Sequence, residues 1–313
     1  MKKILVVVLA LVLACCLVAA AGCGSTGKTA SNTTTPVKVP ARAPTKTVKV
    51  GDITMGYRVY GKGYPLLMIM GYGGSQDIWD PNVIASLAKH YKVITFDNRG
   101  MGATTAGTQP FTIQQFANDT AGLMNALGIP KAHVLGWSMG TYVAQDLVLT
   151  DPQKVNRLVL YAADCGGSQS TGPSADVMKQ LTDTSGTPQQ RGERLMSLLI
   201  PQGWVAVKKN AQYLEQVLSS ATEPTPAESV QKQVQAMGEW FQNGTYAQLP
   251  TIKSQTMMLT GTEDILTPPQ NSLIMVNQIP QSWLTQFRGG GHGVQFQYPQ
   301  AFANAVLDFL AAP

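Results

Sequence analysis

Histidine is scarce in this chain: three in 313 residues, at positions 90, 133 and 292. Cysteine is hardly more common. Of the four cysteines, Cys15 and Cys16 lie in an apolar leader and Cys23 closes it, so Cys165 stands alone in the remainder. A lone thiol forms no internal bridge, which excludes a disulfide framework; it reads as a small, partly buried apolar residue. So few histidines and cysteines offer no ligand cluster, and no metal or organic cofactor is expected. Charge is sparse as well, with 13% of residues charged and a formal net of +5. Two of those charges are Lys2 and Lys3, and four more are Lys28, Lys38, Arg42 and Lys46 with no acid among them, which leaves the rest at −1. A near-neutral domain lacks the basic footprint of a nucleic-acid binder. The basic segment suits an anionic membrane surface as well as it suits a plain solvated linker. No internal repeat is evident.

What is present begins with a leader. Lys2 and Lys3 precede an unbroken apolar run over 4–21, which ends in small residues. Residues 1–22 therefore read as a secretory signal. Ala20-Ala21-Gly22-Cys23 resembles a bacterial lipobox, with Ala20 where Leu is usual, so Cys23 is the expected lipidation site. An ordinary signal peptide or an uncleaved membrane helix are the alternatives, since the run is about long enough to span a bilayer. Residues 23–47 are rich in Ser, Thr and Pro and poor in apolar groups, the composition of a disordered tether. Such a tether spans about 25 Å on average. The chain is thus expected outside the cytoplasm, lipid-anchored to the cell membrane, or secreted if the lipobox is not used.

From residue 48 onward short apolar runs alternate with amphipathic stretches. Residues 48–50 and 53–60 read as a hairpin about Gly51-Asp52. Runs at 65–70, 91–96, 132–136 and 155–161 read as strands, and 83–89, 113–127 and 141–149 as helices. That alternation predicts a mostly parallel central sheet with helices on both faces. Between 166 and 249 strand signals cease, and helical stretches at 189–200, 205–218 and 227–241 are separated by prolines. Strand signals return at 256–259 and 283–287, before a terminal helix at 301–310. The expected organisation is an α/β core in two parts, 48–165 and 250–313, with 166–249 inserted as a helical lid.

The chemistry gathers at one motif. Gly136-Trp137-Ser138-Met139-Gly140 follows a strand and opens a helix, the context in which a tight turn presents a serine as nucleophile. Such a serine needs a base. His90 ends a helix-like stretch, and His133 starts the strand leading to Ser138, nearly a strand length from it. His292 lies in a glycine-rich, flexible loop after the last strand, from which an imidazole reaches the sheet's carboxyl edge. The base in turn needs an acid to fix its tautomer. Asp264, just after the strand at 256–259, is preferred, with Glu263 and Asp164 as rivals. Oxyanion donors are expected at the backbone N–H of Met139 and, from the glycine loop after the strand at 65–70, of Tyr72.

Residues 48 to the C-terminus resemble the α/β-hydrolase fold superfamily, near its esterase, lactonase and cofactor-free haloperoxidase branch. The motifs that carry the likeness are GWSMG at 136–140, DNRGMG at 97–102, GTEDILTPP at 261–269 and GHG at 291–293. The order serine, acid, histidine agrees with it. The resemblance gives 97–102 a structural role beside the site. Where the family usually has His-Gly in the oxyanion loop, this chain has Met70-Gly71. Serine at the turn, rather than aspartate, argues against dehalogenase or epoxide hydrolase chemistry.

These readings imply acyl transfer on a small-molecule substrate, a small or medium apolar ester or lactone. Leu195, Trp204, Met237, Trp240 and Phe241 are candidates for an apolar pocket, although their helical spacing points first to lid core. A peptidase of the same fold is the competing enzyme. It needs an acidic lid group for a substrate amine, and Glu193, Glu215, Glu228 and Glu239 are equivalent candidates. A lipid-tethered binding protein without turnover is the third reading, because fold alone does not establish activity.

Overall fold

The strands owe their positions to continuous apolar runs. Residues 40–183 and 185–313 are described by the computed structural model; the leader, Cys23 and most of the tether lie outside them. Among the described residues eight strands form one sheet in the order β1-β2-β4-β3-β5-β6-β7-β8. They are β1 (Lys46–Val50), β2 (Ile53–Tyr60), β3 (Pro65–Ile69), β4 (Lys92–Phe96), β5 (Ala132–Trp137), β6 (Val155–Tyr161), β7 (Gln255–Gly261) and β8 (Ser282–Phe287). β1 and β2 form the expected antiparallel hairpin, β2 runs antiparallel to β4, and every other pairing is parallel. β5 lies at the centre and all six of its residues are buried, as a strand covered on both faces requires.

Alternate side chains of each strand feed two separate cores. Leu67, Ile69, Ala132 and Val134 pack on one face with α2 (Ile113–Ala126) and α3 (Met139–Thr150). Leu66, Met68, Leu135 and Trp137 pack on the other with α1 (Pro81–Leu87) and the C-terminal helix Pro299–Ala311. Helix starts are fixed by side chains: Asp80 accepts from Asn82 N at 2.8 Å ahead of Pro81, and Thr112 from Gln115 N at 3.0 Å.

Between β6 and β7 the chain leaves the sheet for α4 (Ala175–Thr182), α5 (Pro188–Leu199), α6 (Gln202–Val205), α7 (Lys208–Ser219) and α8 (Ala227–Asn243). α4 was not legible as a helix: it is eight residues long and buries none of them fully. Among the described residues no helix is long and apolar enough to cross a membrane.

Candidate active site

Because β3 to β8 are mutually parallel, the loops that follow them emerge along one edge. Five of those loops carry the residues of interest: Gly71-Tyr72-Gly73-Gly74 after β3, Ser138 after β5, Asp164 after β6, Asp264 after β7 and His292 after β8. Tyr72, Ser138, Asp164 and His292 line one cavity of about 350 Å³, whose wall is completed by residues of α4, α5 and α8.

Ser138 sits at φ 54°, ψ −123°, outside the regions open to most L-residues. The flanking glycines explain how the turn closes. A Cβ on Gly136 would run into the carbonyl of Gly140, and one on Gly140 into the carbonyl of Ile69. The turn is held by Ser138 N donating to Tyr161 O at 2.9 Å and Thr141 N to Ser138 O at 2.7 Å. Met139 is the first residue of α3, so its N–H has no carbonyl partner within the helix. Gly71 is favoured by the same crowding, since a Cβ there would stand 2.9 Å from Trp137 O and 3.1 Å from Ser138 Cβ.

His292 is 2% exposed. Its Nδ1 lies 2.9 Å from Asp264 Oδ2 and 3.1 Å from Oδ1. Asp264 Oδ1 also accepts from Leu266 N at 2.9 Å and Thr267 N at 2.8 Å. The loop around His292 is not loose, despite its glycines. Trp137 Nε1 and Tyr161 Oη donate to His292 O at 3.1 and 2.6 Å, Gly291 N donates to Gln297 Oε1 at 2.7 Å, and Gly293 N to Leu199 O at 2.8 Å. The glycines serve close approach rather than mobility: a Cβ on Gly291 would meet Leu199 O at 2.6 Å.

The rival residues lie elsewhere or are otherwise engaged. Glu263 is exposed, and its N donates to Gly290 O at 2.7 Å. Asp164 accepts from Tyr142 Oη at 2.7 Å and Gly166 N at 2.8 Å; burial raises its carboxyl above the usual range. His90 is exposed. His133 is 5% exposed at the opposite end of β5, between the rings of Tyr64 and Tyr91, and burial lowers it to about 4.

The segment at 97–102 shapes the edge, as the resemblance implied. Asp97 accepts from Gln76 N at 2.7 Å, Gln76 Nε2 at 2.9 Å and Ala103 N at 3.0 Å, and burial pushes it up to about 6. Arg99 bridges Asp52 and Asp119 at 2.9 and 2.7 Å. Asn98 Nδ2 donates to Met70 O at 2.9 Å, which anchors the loop where the family's histidine is missing. Sequence reasoning also missed Gln233 of α8, whose Oε1 accepts from Gly73 N at 2.9 Å. No local pattern marks Gln233, since it acts across the fold.

The apolar candidates divide. Leu195 and Met237 pack against the cores, as their helical spacing suggested, and also line the cavity; Phe241 lines the cavity without joining either core. Trp240 instead stacks on Tyr142 with centroids 4.0 Å apart, and Trp204 packs against the second core. None of Glu193, Glu215, Glu228 and Glu239 lines the cavity.

Comparison with known proteins agrees with this architecture. A family model described as alpha/beta hydrolase fold matches residues 64–299. The chain belongs to that family. It is 26% identical over 259 residues to "Putative carbamate hydrolase RutD" of Azorhizobium caulinodans, covering 83% of this chain and 96% of the relative. An alpha/beta hydrolase fold protein from Chitinophaga pinensis superposes with a TM-score of 0.76 at 23% identity, over 87% of this chain and 98% of the other. An enol-lactonase from Burkholderia xenovorans LB400 gives 0.73 at 20% identity, over 85% and 100%. At these identities the solved structures share the fold with this chain.

Proposed function

We propose that the protein is a serine hydrolase that opens a small or medium apolar carboxylic ester or lactone through an acyl-enzyme. The observation that carries the reading is one mostly apolar cavity lined by Ser138 on its strained turn and by His292 held by Asp264. Ser138 Oγ attacks the carbonyl as His292 Nε2 takes its proton. Asp264 holds the productive tautomer and stabilises the imidazolium. The N–H groups of Met139 and Tyr72 receive the oxyanion. The imidazolium protonates the leaving alkoxide, and water, deprotonated by His292, then releases the acid. The apolar wall formed by Leu195, Met237 and Phe241 supports an apolar substrate body. A relative named as a putative carbamate hydrolase and a solved structure of the same fold named as an enol-lactonase are in keeping with attack on a carbonyl carbon.

A panel of p-nitrophenyl esters and aminoacyl anilides tests this reading. Wild type is expected to hydrolyse the esters with Ser138→Ala inactive; turnover of anilides alone moves the assignment to a peptidase, and turnover of neither contradicts it. The order of residues 1–47 supports a further proposal, that Cys23 carries a lipid and places the enzyme outside the cytoplasm. Cys23→Ser is then expected to leave the membrane fraction, and a variant that stays there contradicts the anchor.

A further inference from the structure

One acidic side chain in the cavity wall takes no part in the chemistry above. Asp164 is 5% exposed and forms no ion pair among the described residues. It is held from three sides. Tyr142 Oη donates to Oδ2 at 2.7 Å and Gly166 N to Oδ1 at 2.8 Å. Trp240 stacks flat on the Tyr142 ring and fixes the phenol. Gln145 Nε2 donates to the Asp164 carbonyl at 3.0 Å, and Gln145 is itself fixed by Thr245 Oγ1 at 2.6 Å.

Both partners of the carboxylate are donors, so the group is set as an acceptor. An ionised carboxylate offers about four acceptor positions, and two are used. Burying such a group in an apolar wall is costly unless its remaining lone pairs are met. Among the described residues no Lys or Arg pairs with it, whereas a donor in the cavity can meet them.

We propose that Asp164, positioned by Tyr142, is a subsite for a hydrogen-bond donor carried by the substrate, a hydroxyl or an ammonium group. This rests on the hydrolase reading and narrows its substrate class. The preferred ester or lactone has an apolar body, which Leu195, Met237 and Phe241 enclose, and one donor that reaches Asp164 while the carbonyl lies at Ser138.

The test uses p-nitrophenyl esters of straight-chain acids of increasing length, each ending in methyl, hydroxyl or ammonium. In wild type one chain length is expected to show a donor-terminated ester ahead of its methyl counterpart in kcat/KM by about tenfold or more, the worth of a hydrogen bond to a charged group. Asp164→Asn is expected to erase the advantage of the ammonium ester and reduce that of the hydroxyl ester, leaving the methyl esters within a few-fold. A larger loss for the hydroxyl series identifies the donor as a hydroxyl. If Asp164→Asn does not fold, wild type alone decides: short primary amines or alcohols should inhibit more strongly than dialkyl ethers of equal size. Equal turnover of all three series at every length, or an equal loss for all of them in Asp164→Asn, overturns the subsite. Fluorophosphonate labelling of Ser138 is run on the same sample. A labelled enzyme without donor preference refutes the subsite alone, and an unlabelled, folded protein refutes both readings.

Discussion

Replacing Asp264 by asparagine should abolish turnover while leaving the fold intact, and the hydrogen bonds around Asp264 say why. Oδ1 accepts two backbone N–H groups, from Leu266 at 2.9 Å and Thr267 at 2.8 Å, while Oδ2 lies 2.9 Å from His292 Nδ1. The amide oxygen of the introduced asparagine must therefore occupy the Oδ1 position. The flipped amide would leave two buried donors unmet, at about 1–3 kcal/mol each. That orientation is populated at no more than a few per cent, since 1.4 kcal/mol is about a factor of ten. The amide NH₂ then donates to His292 Nδ1 and forces the proton onto Nε2, where the imidazole cannot accept from Ser138. The expected loss in kcat is about 10⁴-fold, or roughly 5 kcal/mol. Steady-state hydrolysis of a p-nitrophenyl ester reads the rate, and thermal unfolding reads the fold. Asp264→Ala serves as the contrast: it removes the acceptor of both loop amides, so its Tm should fall below that of Asp264→Asn. An Asp264→Asn enzyme within tenfold of wild-type kcat would refute the reasoning.

Other perturbations follow from the same contacts. Ser138→Gly is expected to be inactive yet more stable than wild type, by about 1–2 kcal/mol in denaturant unfolding, because glycine relieves the φ of 54°. Gln233→Leu removes the acceptor of Gly73 N, and is expected to lower kcat about tenfold with little change in KM if α8 positions the Tyr72 amide. For His133, burial and Arg157 keep the folded pKa at about 4 against 6.5 unperturbed. The unfolded chain therefore binds the proton first, and stability is whole above about pH 6.5 and declines as pH falls towards 4. His133→Phe, which keeps a ring between Tyr64 and Tyr91, should lose less Tm than wild type between about pH 7 and 4.5; an identical loss would remove His133 from the acid response.

Much of this site was legible because its signals are local. GWSMG carries its own steric logic, in that Gly136 and Gly140 admit no Cβ. His292 emerges by elimination among three histidines, and the strands by continuous apolar runs. What was not legible depends on residues brought together across the fold. Gln233 meets Gly73 over 160 positions, the bond from Asn98 to Met70 O spans two loops, and Asp164 acquires its surroundings from Tyr142 and Trp240. The glycines of the His292 loop read as mobility, yet Gly291 allows packing against α5 and Gly290 against the end of β8, a distinction that only the contacts draw. The division of the lid's apolar residues between cavity and core has the same origin, since helical spacing fixes a face but not what that face meets.

The central claim, that Ser138 is an activated nucleophile, has one direct test. The folded protein is treated with a fluorophosphonate, digested with trypsin, and peptide 132–154 is weighed; Ser138 is its one serine. Stoichiometric phosphonylation of that peptide is expected in wild type and none in His292→Ala. An unmodified peptide from folded wild-type protein would contradict the claim.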